Sequence, residues 1–351
     1  MSDAIALDQL SALLRGEPTA VNDWSAVIGL ANRAYITPRL AGRLPGDAPD
    51  DARVFVREVA RRNDERSRRQ LQQMGEAAAA LNAVGITPLA IKGGAILART
   101  GGACPRMTND IDLVVPPAEV ERALAALVTA GFPIRARHPD PAAHTVAELG
   151  RPEDVGLIDL HQRPPGPPGF FSQADLAAGP VRQAGPGRVV TPEPHLHVFL
   201  QTLHDQLHNG AYWRGGFDLR HAWDIADLIA DNQPIDWDRL RRLPPTRLTA
   251  RALEAQLAAC HSLTGAPVPA WAVGWRTRLR IGRQRLQQTT PSLAAPLAAL
   301  AVLAQPVAVA AHRAYDRSSR AALGLPPKPR GLTRAVDRMR WIFTAETSGR
   351  F

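Results

Sequence analysis

At 351 residues the chain is too long for one ordinary domain of ~100–200 residues and long enough for two. Hydrophobic residues at 45% and charged residues at 21% belong to a folded protein and exclude wholesale disorder. The net charge of +9 invites a polyanionic partner, yet it comes almost wholly from arginine, with Lys92 and Lys328 the only lysines. Beside 31 prolines and heavy alanine use, that pattern suits a GC-rich coding bias as well as a binding role, so charge alone selects no partner.

Cys104 and Cys260 lie far apart, which excludes a disulfide framework and a zinc knuckle and fits a reducing compartment. The opening MSDAIALDQL has no basic segment, so no secretory signal is expected. Leu293 to Ala311 is apolar but alanine-rich and interrupted by Pro296 and Pro306, and reads as buried helix rather than a membrane span. A cytoplasmic protein with no membrane partner is the expectation.

Residues 1–82 read as helices: Leu7, Leu10, Leu13 and Leu14 repeat at helical spacing, and a long helix runs from about Ala52 to Val84. Val56, Val59, Met74, Ala78 and Leu81 share one side of that helix. Arg57, Arg61, Arg62, Arg66, Arg68 and Arg69 share the other, which we read as a solvated face beside Glu58 and Glu65. Residues 83–165 alone look α/β. Gly85 stops the long helix, Ile86–Ile91 and Ile111–Val115 are apolar runs bounded by turn signals, and Thr145–Leu149 with Val155–His161 form a hairpin pattern. Residues 166–194, rich in proline and glycine, are expected to be a linker. Residues 195–325 are again helical, and 326–351 form a basic tail. The tryptophans Trp213, Trp223, Trp237, Trp271 and Trp275 are expected to pack, since no basic stripe interleaves with them.

Chemistry concentrates in Asn109-Asp110-Ile111-Asp112-Leu113-Val114-Val115. Residues two apart on a strand project from one face, so Asp110 and Asp112 stand together while Ile111 and Leu113 bury the other side. Adjacent carboxylates repel unless a cation lies between them, and Mg²⁺ takes carboxylate and phosphate oxygens together. Lys92-Gly93-Gly94 opens a helix directly after a strand; the pair is either an ordinary turn or a phosphate cradle of backbone N–H groups. Arg106, four residues before Asp110, offers a fork to phosphate oxygens. Asp159 sits in the apolar strand Gly156-Leu157-Ile158-Asp159-Leu160-His161, where an acid needs a partner or a metal. After the 166–194 segment, His197, Gln201, His204 and His208 fall on one stripe of an ideal helix, read as a hydrated or locally paired stripe, a cleft lining, or a three-histidine zinc site. Arg220, Asp224 and Asp227 have the spacing of an intrahelical ion-pair row.

The set Leu89-Ala-Ile-Lys92-Gly93-Gly94, Arg106-Met-Thr-Asn-Asp110-Ile-Asp112 and Ile158-Asp159-Leu-His161 resembles a bacterial group of nucleotidyltransferase family proteins in the DNA polymerase beta-like nucleotidyltransferase superfamily. The resemblance takes in Asn63 of the long helix, His204 and His208, and Leu219-Arg220-His221-Ala-Trp-Asp224, over roughly residues 20–235. It implies an α+β fold, with a small mixed-sheet core flanked by N-terminal and C-terminal helical regions. It implies transfer of an NMP from an NTP, with Mg²⁺ or Mn²⁺ and release of pyrophosphate. Asp110, Asp112 and Asp159 would hold metal, Asp159 would help deprotonate the acceptor, and Lys92, Gly93, Gly94 and Arg106 would hold the triphosphate. His204, His208 and Arg220 would roof the site. Many superfamily members carry Gly-Ser where this chain has Gly93-Gly94. The expected acceptor is a small molecule, peptide or protein, with no specific nucleic acid. The alternatives are transfer to an RNA such as a tRNA end, or a non-catalytic nucleotide-binding or toxin–antitoxin role.

Overall fold

The computed structural model describes residues 3–327 apart from 141–142, 168 and 232, so the basic tail beyond 327 lies outside the described residues. Helices α1 (Asp3–Arg15) and α2 (Trp24–Arg33) precede the 34-residue α3 (Asp50–Ala83). Gly85 ends α3 at φ 78°, a left-handed position that favours glycine, and the Gly85 and Ile86 N–H groups return to the Asn82 and Leu81 carbonyls. Then follow β1 (Leu89–Ile91), α4 (Lys92–Thr100), β2 (Asp110–Val114), α5 (Val120–Thr129), β3 (Ile134–Arg137), β4 (Thr145–Leu149) and β5 (Leu157–His161). A short α6 (Gln173–Ala177) leads to β6 (Val181–Ala184) and β7 (Gly187–Val190). These strands form one mixed seven-stranded sheet in the order β3-β4-β5-β2-β1-β7-β6, parallel only at β2–β5 and β1–β7.

The expected 166–194 linker is therefore corrected. Its second half is a hairpin that extends the sheet, because Gly185 and Pro186 make the turn between two short runs rather than a disordered tract. Glycine permits its docking: a Cβ on Gly75 of α3 would overlap the Ala184 carbonyl, and one on Gly187 would overlap the Gly75 carbonyl and the Ala79 amide. Helix and hairpin meet backbone to backbone.

The rest is helical: α7 (Pro194–Thr202), a π-helical turn (Leu203–His208), α8 (Ala211–Arg214), α9 (Leu219–Ala230), α10 (Trp237–Arg242), α11 (Arg247–Thr264), α12 (Trp275–Thr289), α13 (Pro291–Leu303) and α14 (Pro306–Ala322). Among the described residues no single helix is long and apolar enough to cross a membrane. The run read as one buried helix is two, α13 and α14, bent by 68°, with Leu300, Leu303 and Val307 exposed. Trp213 and Trp223 are buried as expected, but Trp275 is exposed and carries Arg276 over its ring, and Arg241 lies over Trp271.

The chain divides into two compact units, one of Glu58–Leu200 and one of Met1–Arg57 with Gln201–Phe351. In the first, the sheet unit, Ile111 and Leu113 of β2 and Ile158 and Leu160 of β5 are fully buried with Met74, Ala78 and Leu81 of α3 and Leu124 and Leu127 of α5. Each large aliphatic side chain so buried contributes ~1.5–3 kcal/mol. In the second, the helical unit, Leu10, Leu13, Val27, Leu30, Ile36, Val56, Leu219 and Leu263 form a separate core.

Candidate active site

Strand alternation places the acids. With Ile111, Leu113, Ile158 and Leu160 in the core, Asp110, Asp112, Asp159 and His161 occupy the opposite face of β2 and β5. The parallel register sets Asp112 beside Asp159 and Val114 beside His161. The antiparallel β1 pairs Ile91 with Asp112, so Lys92, the next residue, begins α4 next to the acids.

Asp112 is fully buried. Its Oδ1 accepts from Lys92 Nζ at 2.6 Å and from His161 Nε2 at 2.9 Å. Its Oδ2 is buried and accepts no hydrogen bond. Burial opposes the charge, but the Lys92 ammonium and the His161 hydrogen bond overcome it and hold the carboxyl below the usual range. Asp159, half-buried and beside Asp112 and Asp110, behaves oppositely: burial and then the two neighbouring charges raise its pKa to about 7. Asp110 is shifted upward by burial and Asp112, with Lys92 offsetting part. Burial lowers the His161 pKa, so the ring is neutral near pH 7, its Nε2–H on Asp112 and its Nδ1 accepting from Thr145 Oγ1 at 3.1 Å. The His144 ring stacks on it with centroids 5.3 Å apart.

Donor atoms of Asp112, Asp159 and His161 all lie within 4.8 Å of one another, a grouping able to hold a metal ion. Asp110 stands two residues before Asp112 on the same face but outside that grouping. His161, part of the sequence pattern, joins the site only in the structure; its spacing of two from Asp159, which puts both on one strand face, is the signal the sequence carries.

A row of polar groups on α3 fixes the loops that enter β2 and β5. Asn63 Nδ2 donates to the Cys104 carbonyl at 2.8 Å, Arg66 Nε and Gln70 Nε2 to the Thr108 carbonyl at 3.1 and 3.2 Å, and Gln73 Nε2 to the Gly156 carbonyl at 2.8 Å. Thr108 Oγ1 closes the set on Gln70 Oε1. The arginine face of α3 is thus only partly solvated. Arg61 and Arg62 pair with Glu58, but Arg66 is tied to Thr108 and feels the Asp110 charge. Arg106 is buried, donates from Nη1 to the Met107 carbonyl at 3.1 Å, and its charge also reaches Asp110. Gly93 and Gly94 form the buried first turn of α4; a Cβ on Gly93 would come 2.8 Å from Thr108 Cγ2.

His204, His208 and Arg220 belong to the helical unit. The π-helical turn shifts the register after Thr202, so the stripe drawn at ideal helical spacing divides: His197 and Gln201 are buried, His204 is half-buried, and His208 is exposed. The His204 ring stacks on His208 at 5.5 Å and meets His221 edge-on at 5.5 Å. Arg220 donates to both oxygens of buried Asp218 at 2.6–3.2 Å, while Asp224 and Asp227 face Arg39 at 3.5 and 2.6 Å.

No curated protein matches the chain. Among solved structures, the antibiotic-resistance factor ANT(2'')-Ia is similar over 60% of this chain and 92% of its own, at 17% identity and a TM-score of 0.27. Residues 20–265 match the family of uncharacterised nucleotidyltransferases, and the chain belongs to that family.

Proposed function

We propose that the protein is a metal-dependent nucleotidyltransferase that moves an NMP from an NTP to a small-molecule, peptide or protein acceptor and releases pyrophosphate. The observation that carries this reading is the carboxylate of Asp112, buried with one oxygen free, beside Asp159 and His161. A buried oxygen without a partner is costly, and a divalent cation suits it. Asp110, Asp112 and Asp159 would hold Mg²⁺ or Mn²⁺, with His161 keeping the Asp112 carboxylate in place. The bound ion would neutralise charge on the phosphates.

The chain's own groups supply the rest. Backbone N–H groups of Gly93 and Gly94 at the α4 N-terminus, with Arg106 and Arg66, suit a triphosphate. Asp159, beside Asp112 in the sheet register, is also the group proposed to help remove the acceptor proton.

The decisive experiment incubates the protein with Mg²⁺ and each α-phosphate-labelled NTP in cell extract, then identifies labelled species by mass spectrometry. Labelling that requires metal and is lost in Asp110→Ala, Asp112→Ala and Asp159→Ala variants supports the assignment. Labelling confined to RNA turns it to the tRNA-end alternative. Near wild-type transfer by any one variant refutes that residue's role.

A further inference from the structure

We propose that Lys92 is a resident cation of the acid cluster, holding Asp112 until a divalent metal ion takes its place, and that the freed ammonium then serves the triphosphate. This rests on the metal-dependent reading above and adds a residue that changes partner during loading.

Three observations converge on it. First, Lys92 occupies a position built at a cost: its φ of 50° lies in the left-handed region, which a side-chain-bearing residue occupies at the expense of ~1–3 kcal/mol. Gly93 and Gly94 follow directly, so the strain falls on the one residue of the turn that carries a charge. Second, the pairing is incomplete. The ammonium and His161 both take Asp112 Oδ1, which leaves buried Oδ2 without a hydrogen bond. A single lysine also stands against three carboxylates, Asp110, Asp112 and Asp159. An ion that engages Oδ2 and Asp159 satisfies what Lys92 cannot. Third, the lysine has a way out that the aspartate lacks: the Lys92 side chain is 20% exposed and that of Asp112 0%. His161 remains on Oδ1 when the lysine leaves, so the carboxylate keeps its orientation. A lysine at the first turn of α4 lies among the backbone N–H groups of a helix N-terminus, where phosphate oxygens are favoured.

The chain's two lysines make the test direct. The full-length protein is treated with an amine-reactive reagent with and without Mg²⁺, and labelling of Lys92 and Lys328 is read by peptide mass spectrometry. Mg²⁺ should raise Lys92 labelling several-fold and leave Lys328 unchanged; Lys92 labelling that stays constant or falls overturns the proposal. In parallel, Mn²⁺ binding without nucleotide is measured for wild type, Lys92→Gln and Asp112→Asn. Removing a competing cation should tighten Mn²⁺ binding by about tenfold, equivalent to ~1.4 kcal/mol. Equal or weaker binding by Lys92→Gln overturns the exchange while leaving the metal reading intact. Mn²⁺ binding by Asp112→Asn that matches wild type overturns the metal reading itself. Should Lys92→Gln fail to fold, the labelling of wild type decides alone.

Discussion

Asp159→Asn removes a carboxyl that burial and the adjacent Asp112 and Asp110 charges keep protonated up to about pH 7. In the unfolded chain the same group loses its proton near pH ~4. Between those values the folded state binds more protons than the unfolded state, so stability falls as pH rises through the window and the full penalty is present above it. A difference of about three pKa units corresponds to ~4 kcal/mol at ~1.36 kcal/mol per unit. Asp159 is only half-buried, and solvent screening reduces this to roughly 2 kcal/mol. Asparagine keeps the size of the side chain and removes the charge. In the absence of divalent metal the variant should melt ~4–8 °C above wild type at pH 8.5. The gap should narrow as the pH falls toward 5. All seven tryptophans fall outside Glu58–Leu200, so circular dichroism and hydrogen exchange of β5 amides, rather than tryptophan fluorescence, report on the sheet unit. Saturating Mg²⁺ should reverse the order, because wild type alone gains the full ligand stabilisation. An offset that is zero, or the same at pH 5.5 and 8.5, refutes the charge argument.

Three further outcomes follow from the geometry. His161→Ala should lower metal-dependent transfer by ~10–100-fold with the fold retained, since the ring orients Asp112; unchanged turnover assigns it a packing role only. Gly187→Ala should cost ~1–3 kcal/mol in urea unfolding because its Cβ enters the α3 backbone, and a neutral result means the helix and hairpin separate easily. Duplex or tRNA binding at physiological salt should be no tighter than the non-specific range of ~10⁻⁴–10⁻⁶ M; sub-micromolar tRNA binding there promotes the RNA alternative.

The α+β core was legible because its signals are local. Alternation in Asp110–Val114 and Leu157–His161 separates acid from aliphatic residues, and Gly85 marks the end of the long helix. The β6–β7 hairpin was not legible. Its strands are four residues each and lie among Gly179, Pro180, Gly185, Pro186 and Pro192, so composition there is that of a loop. What makes it a hairpin is distant: the parallel partner β1, some hundred residues earlier, and the glycine contact with α3. Pairing of Asp224 and Asp227 with Arg39 was hidden for the same reason, because helical spacing reveals only partners on the same helix.

The site divides along the same line. Sequence names the acids and the face they share, but the charge each carries depends on neighbours that only the fold supplies. Asp112 is held ionised by Lys92, which reaches it through a backbone turn at φ 50° that no pattern of residue types encodes. Asp159, adjacent to it in the sheet register, has no lysine of its own and keeps its proton to about pH 7. Three carboxylates that look equivalent in the sequence therefore differ in charge before any metal binds. Asp112 is a fixed anion with one oxygen already committed, and Asp159 is poised at neutrality. Asp110 is less constrained, shifted upward at the open end of β2. That asymmetry arises from register and one strained residue rather than from residue type.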